Sequence, residues 1–310
     1  MKYVLEYPSE LPSAGDIFLR PEVIREVVTR AEESGFTAVA LSEHPAPSLK
    51  WRDNGGHNTL DPIAALSFMA GVTSSIRVMT NLYVLPFHNP YAAAKALGSL
   101  DIVSGGRLIA GVGAGYLRAE FSALGVEHER RAALLDEALV ALRGIWTDPE
   151  KPVTGADFAA IGPMWLQRPA QRPHPPIWIG GNGSTAIGRV VRHGDGWMPI
   201  IADATMAAAM RTKAIENAHQ FGEGVDELRR RLEAADRDPS TVDVQVVCPH
   251  LDFDDRGSVR AALDHLDDLE RRGATYAVVH VDGSGPAAAA KFVTTFGEVV
   301  VSGARAGTTR

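Results

Sequence analysis

Eight short apolar runs, centred near residues 4, 39, 80, 110, 178, 198, 246 and 278, are each followed by a stretch of helical periodicity. This alternation constrains the fold more than any other feature of the chain. When a helix separates each strand from the next, it carries the chain back across the sheet, so successive strands pair parallel. Eight such units close a (β/α)₈ (TIM) barrel, an α/β architecture that runs to this length as a single domain. An open doubly wound sheet of six to eight strands is the alternative. Strands covered on both faces read as unbroken apolar runs, and residues 76–86 (IRVMTNLYVLP) are apolar at nearly every position.

The expected strands cover 3–7, 37–41, 76–86, 107–112, 177–179, 196–201, 243–248 and 275–281. Helices are expected over 21–35, 61–72, 89–103, two segments up to Trp146, 185–193, 204–236 with an interruption near Gly222 to Gly224, 258–272 and 286–300. Leu263, Leu266 and Leu269 mark the inner face of the helix over 258–272. Asp61-Pro62 and Asn89-Pro90 each pair an N-cap with a first-turn proline. Two insertions interrupt the pattern. One is the polar, glycine-bearing loop 48–60, and the other is 150–176, which has no clear period and six prolines. The barrel is expected over 1–301, with the small polar tail 302–310 frayed.

A net charge of −7 and the absence of a basic patch argue against nucleic acid as the main partner. No apolar run approaches the ~18 residues of a membrane span. The start, MKYVLEYPSE, has too short an apolar core for a secretory signal. Cys248 is the only cysteine, so there is no intrachain disulfide and no thiolate metal cluster. A soluble, cytoplasmic protein is expected. No HxxxH, HExxH, GxSxG or Gly-Lys-Ser/Thr pattern occurs, which leaves no local zinc site, serine-hydrolase elbow or Walker loop.

In a barrel the active site lies at the carboxyl ends of the strands. Three stretches there carry chemistry. Glu43-His44 ends the second strand, before Pro45 and Pro47. A carboxylate beside an imidazole suits acid/base work or a hydrogen bond to a cofactor ring; the alternative is a loop histidine beside a solvated glutamate. Gly180-Gly181-Asn182-Gly183-Ser184-Thr185 links a strand to a helix. Its free amides and hydroxyls suit an anion such as phosphate, and the alternative is an ordinary capped turn. Gly111-Val112-Gly113-Ala114-Gly115-Tyr116 is not a GxGxxG fingerprint. Its glycines allow either close approach to a flat ring or tight packing at a strand end. His57, His88, His128 and His174 read as surface, core-edge or structural groups.

Three stretches together resemble the bacterial luciferase-like flavin-dependent enzymes, most closely their deazaflavin (coenzyme F420) branch. They are AEESGFTAVALSEH at 31–44, NPYAAAKALGSLDIVSGGRLIAGVGAGYLRAEFSALG at 89–125 and RPHPPIWIGGNGSTAIGRVVRHGDGW at 172–197. The resemblance implies a (β/α)₈ barrel, usually dimeric, with the cofactor phosphate near Gly181 to Thr185. It implies that Asn81-Leu82 backs the cofactor ring, where relatives often have a non-proline cis peptide, and that Gly113 and Tyr116 adjoin the cofactor. It implies further that His44 faces the reactive ring edge with Glu43 beside it. Sugar-phosphate dehydrogenases of the family have a carboxylate where Tyr116 stands, so sugar-phosphate oxidation is disfavoured. The expected function is F420-dependent hydride transfer to or from an organic substrate. Two alternatives stand beside it. One is an FMN-dependent monooxygenase fed by a partner reductase, and the other is a non-catalytic flavin or deazaflavin carrier.

Overall fold

The computed structural model describes residues 1–303. Nine parallel strands are present: β1 Lys2–Glu6, β2 Ala38–Leu41, β3 Arg77–Thr80, β4 Tyr83–Val84, β5 Leu108–Gly113, β6 Ile177–Gly180, β7 Gly196–Met198, β8 Asp243–Val247 and β9 Tyr276–His280. The β1–β9 and β3–β5 pairings close the sheet. β4 is a two-residue continuation of β3 that pairs with β5. The result is the eight-stranded (β/α)₈ barrel anticipated from the alternation.

The helices are α1 Pro21–Glu33, α2 Leu49–Asp53, α3 Pro62–Gly71, α4 Pro90–Val103, α5 Arg118–Ala123, α6 Arg131–Thr147, α7 Ser184–His193, α8 Ala204–Ala209, α9 Ala218–Glu233, α10 Arg256–Arg271 and α11 Pro286–Phe296. Asp61 and Asn89 cap α3 and α4 through the amides of Ala64 and Tyr91, both at 2.9 Å. On α1, Val23, Ile24, Val27, Val28 and Ala31 are buried, as their spacing requires. None of the described helices is long and apolar enough to cross a membrane.

Period-two alternation splits the strands between two cores. Val4, Ala38, Ala40, Met79, Ile109, Trp178, Met198, Tyr276 and Val278 fill the lumen. Trp178 and Tyr276 meet there edge to face, with centroids 4.7 Å apart. The alternate residues, including Leu5, Val39, Leu41, Val78, Leu108, Ile177, Val246 and Val279, join the larger core beneath the helices.

Four elements depart from the sequence reading. The third strand breaks at Asn81-Leu82, whose peptide bond is cis, and ends in a 3₁₀ turn at Leu85–Phe87. The loop 48–60 contains α2, capped by Ser48. The break expected near Gly222 to Gly224 lies instead at 210–217, and α9 runs through both glycines. A Cβ on Gly224 would sit 2.7 Å from the buried Trp197 ring, so that glycine serves packing. The last helix ends at Phe296 and widens into a π turn, Gly297–Val301. On α10, Leu266 and Leu269 are buried while Leu263 is half-buried. Most of the tail expected to fray, 304–310, lies outside the described residues.

The lumen is filled closely enough that one methyl matters. A Cβ on Gly196 would fall 2.4 Å from the Trp178 ring. Gly196→Ala is expected to lower the urea unfolding midpoint by the equivalent of about 1–3 kcal/mol. Gly15 has ordinary φ of −81° and nothing within 4 Å of a Cβ. Gly15→Ala should leave the midpoint unchanged or raise it by up to about 1 kcal/mol.

Candidate active site

Because every strand is parallel, the segments after β2 and β6 open on the same end of the barrel. They stand three strand positions apart, about 14 Å along the wall at the usual spacing. The alternation that fills the lumen continues one step further along each strand. Glu6 follows Val4 and His280 follows Val278; Asn81 follows Met79 and Gly180 follows Trp178. The lumen is therefore apolar and its mouth polar. Glu6 and His280 are register partners on β1 and β9, and their side chains meet at 3.0 Å. Across the mouth, Gln245 Nε2 donates to Asn81 Oδ1 at 3.3 Å, while Gln245 Oε1 is buried without a partner.

His44 lies in an aromatic and acidic nest on this rim. Its Nδ1 is 3.3 Å from Oε2 of Glu120, a residue only 2% exposed. An ionised carboxylate can only accept, so Nδ1 holds the hydrogen and Nε2 is left with its lone pair. The Trp51 ring lies 4.5 Å from the imidazole, His57 5.4 Å and Tyr116 6.2 Å, centroid to centroid. Burial pushes the Tyr116 phenol above its ordinary value; Trp51 opposes the shift and Glu120 adds to it. Behind His57 stands Glu10, 3.9 Å away, whose Oε2 accepts from the Ser42 amide at 3.0 Å. Burial raises the Glu10 carboxyl and lowers His57.

Glu43 does not share these contacts. Its Oε2 accepts from the Val84 amide at 2.5 Å, and its Oε1 is 2.7 Å from His88 Nε2. His88 in turn stacks on Tyr83 at 4.3 Å. Glu43 thus ties the end of β2 to the segment beyond the cis peptide, and His88 is its partner rather than a surface group. Leu82 packs against the lumen core. A Cβ on Gly113 or Gly180 would fall 2.5 or 2.6 Å from Leu82 Cδ1, and one on Gly111 2.0 Å from the Thr80 carbonyl. Of the two roles open to the Gly111–Gly115 glycines, packing at the strand end is the one these contacts describe.

The turn after β6 is held from behind. Asn182, 4% exposed, donates through Nδ2 to the carbonyls of Ile200 and Lys213, both at 2.7 Å. Its Oδ1 accepts from the Ile200 amide at 2.8 Å, and its own amide donates to Thr212 Oγ1 at 3.0 Å. Asn182 is therefore saturated. By contrast, α7 starts at Gly183 without a side-chain cap, and a Cβ there would meet nothing within 4 Å. The amides of its first turn are open to an anion. Ser184 Oγ is drawn instead to Glu227 and Arg231, at 3.1 and 2.9 Å. A surface cleft of about 560 Å³ beside Phe253, Val259 and Leu263 holds none of these groups. Among the described residues no cluster of His, Cys, Asp and Glu could hold a metal ion.

Sequence reasoning missed Glu10, Glu120 and the roles of His57 and His88. Glu120, beside buried Phe121 on a short helix after β5, carries no local mark that separates it from a solvated acid.

Two predictions follow from these pairs. Glu43→Ala leaves the Val84 amide and His88 without their shared partner and should cost roughly 3 kcal/mol in urea unfolding. Glu6, 17% exposed at the side chain, has its carboxyl raised to about 7 by burial, with Asn81 opposing the shift. The folded state therefore holds that proton more tightly than the unfolded chain. The linked stability is fully present below about pH 4.5 and is lost as pH rises through about 7. Glu6→Gln should flatten the fall in unfolding free energy between pH 5 and 8, by about 1–3 kcal/mol.

The model of the luciferase-like monooxygenase family matches residues 7–282. The F420-dependent hydroxymycolic acid dehydrogenase of Mycobacterium tuberculosis is 30% identical over 239 residues, 75% of this chain and 59% of its own. The FMNH(2)-dependent dimethylsulfone monooxygenase of Pseudomonas putida is 28% identical over 211 residues, 65% of this chain and 56% of its own. The chain spans 64% of the length of the first curated relatives it matches. Among solved structures, monooxygenase RslO1 from Streptomyces bottropensis superposes with a TM-score of 0.76 at 21% identity, covering 98% of this chain and 100% of that one. That likeness concerns the fold. With the family model spanning the barrel from the end of β1 to just beyond β9, the chain belongs to the luciferase-like monooxygenase family.

Proposed function

We propose that this protein is an oxidoreductase that binds coenzyme F420 at the barrel mouth and passes hydride between its deazaflavin and a small organic substrate. The observation that carries this reading is the His44–Glu120 pair, set on the same rim as the uncapped first turn of α7. Kinship to an F420-dependent dehydrogenase over three quarters of the chain supports the choice of cofactor.

The residues present fit such a group. Gly183, Ser184 and Thr185 would hold its phosphate on open amides, with Asn182 fixing the turn from behind. The orphaned Gln245 Oε1 offers an acceptor to a ring N–H, and Asn81-Leu82 with Gly113 would form the wall behind the ring. A bound deazaflavin would supply the two-electron hydride acceptor or donor. The protein's part is proton handling and orientation. Glu120 keeps the proton of His44 on Nδ1, so that Nε2 is the atom that takes a proton from the substrate or returns it. Glu43 acts as a positioning residue through the Val84 amide and His88. Trp51 and Tyr116 flank His44 and limit water around it.

A second reading is an FMN-dependent monooxygenase supplied by a partner reductase; the 28% identical dimethylsulfone enzyme favours it. Titration with each cofactor, followed by fluorescence, separates the two. F420 is expected to bind at least ten times more tightly than FMN; tight FMN binding with none of F420 would assign the second reading. In either case His44→Ala should lower turnover by roughly 10²-fold or more while cofactor affinity changes only a few-fold. Unchanged turnover would exclude His44 from the chemistry.

A further inference from the structure

The nest around His44 holds two carboxylates that the proton-handling role does not exhaust. Glu10 and Glu120 are 5% and 2% exposed. Each has one oxygen engaged, Glu10 Oε2 by the Ser42 amide and Glu120 Oε2 by His44. In each the other oxygen, Oε1, is buried and has no partner. A buried carboxylate oxygen without a donor is an unmet demand for an N–H or O–H.

The charge around them is one-sided. The ion-pair partners of Glu120, Glu10 and Glu6 are His44, His57 and His280; none of the three acids is paired with a lysine or an arginine. Burial lowers His57 and raises Glu10, its neighbour at 3.9 Å. The rings of Trp51 and Tyr116 line the same nest at 4.5 and 6.2 Å from His44. A phosphate or carboxylate entering here would meet acidic groups without a compensating cation. An ammonium would bring several donors to acceptor oxygens that lack them, and its charge would be attracted to the faces of the aromatic rings.

We propose that the ligand recognised beside His44 is an amine, bound as its ammonium form, and that this pocket rejects phosphorylated and carboxylated substrates. This names the substrate class of the oxidoreductase reading and rests on it only for catalysis, not for binding.

Calorimetric titration of the full-length protein at pH 7.5, with and without F420, tests the proposal using hexylamine, 1-hexanol, hexanoate and hexyl phosphate as isosteric probes. Alkylamines are protonated at that pH, as a lysine side chain is. Hexylamine is expected to bind at least tenfold more tightly than 1-hexanol, with no detectable binding of either anion. Glu10→Gln and Glu120→Gln should each shrink that preference at least threefold. The wild-type comparison decides even if a variant fails to fold. The proposal is overturned if 1-hexanol or an anion binds as tightly as hexylamine, if none of the probes binds, or if both folded variants keep the full preference. F420 affinity is read in the same experiment. Amine preference without F420 binding would sink the cofactor reading and leave this one standing.

Discussion

Closing the sheet with parallel strands does two things at once. It sends every strand's carboxyl end to one rim, and it makes each second side chain face the lumen. Once Val4, Met79, Trp178 and Val278 fill the lumen, the next inward residues on the same strands must look into its mouth. Those residues are Glu6, Asn81, Gly180 and His280. The polar rim is therefore a continuation of the apolar core by one more step of the same period. The Glu6–His280 contact is a direct result, since the β1–β9 register makes the two residues partners. A slip of one residue in either strand would place one of them beneath the helices.

The two ends of the barrel treat buried polar groups differently. At the amino-terminal end Glu32 accepts from the amides of Ser74, Ser75 and Ile76, and those bonds outweigh desolvation to hold its carboxyl down to about 2. Arg107 there binds the carbonyls of Ala70, Thr73, Ile76 and Ser104. Those groups are satisfied within the chain and serve stability. At the carboxyl end Ser9, Glu10, Ser42, Glu120 and Gln245 each keep a buried side-chain oxygen without a partner. Each such atom costs about 1–3 kcal/mol in a folded protein unless something else completes it. Among the described residues only Arg30 and His128 also have such a side-chain atom, and the weight on one rim is what a binding site needs.

The barrel itself was legible because each strand is buried on both faces, and that burial writes an unbroken apolar run into the sequence. The same uniformity hid the break at Asn81-Leu82, since residues 76–86 are apolar on both sides of it. Gly222 and Gly224 read as breakers, yet α9 passes through them, and it is the distant Trp197 ring that demands a residue without Cβ at 224. His44 stood out because it follows a strand end and precedes two prolines. Glu120 did not. Within RAEFSA, an acid that will be buried against an imidazole 76 residues away looks the same as a solvated one. Glu10 and His57 were hidden for the same reason. Their meaning comes from which loops converge on the rim, and local pattern does not carry that.

The carboxylate on His44 also bears on how such a site changes its chemistry. Tyr116 lies just beyond β5, and Glu120 follows four residues later on α5. From α5 the Glu120 carboxylate reaches His44 Nδ1, while Tyr116 presents its phenol ring to the same imidazole. The rim sets an acid and an aromatic wall around one imidazole, and neither Glu10 nor Glu120 is paired with a lysine or an arginine. The sheet fixes neither residue, because both lie beyond the end of β5 in a segment the hydrogen-bonded strands do not constrain. The side chains that surround the imidazole can therefore be set within one strand-to-helix connection while the barrel stays as it is.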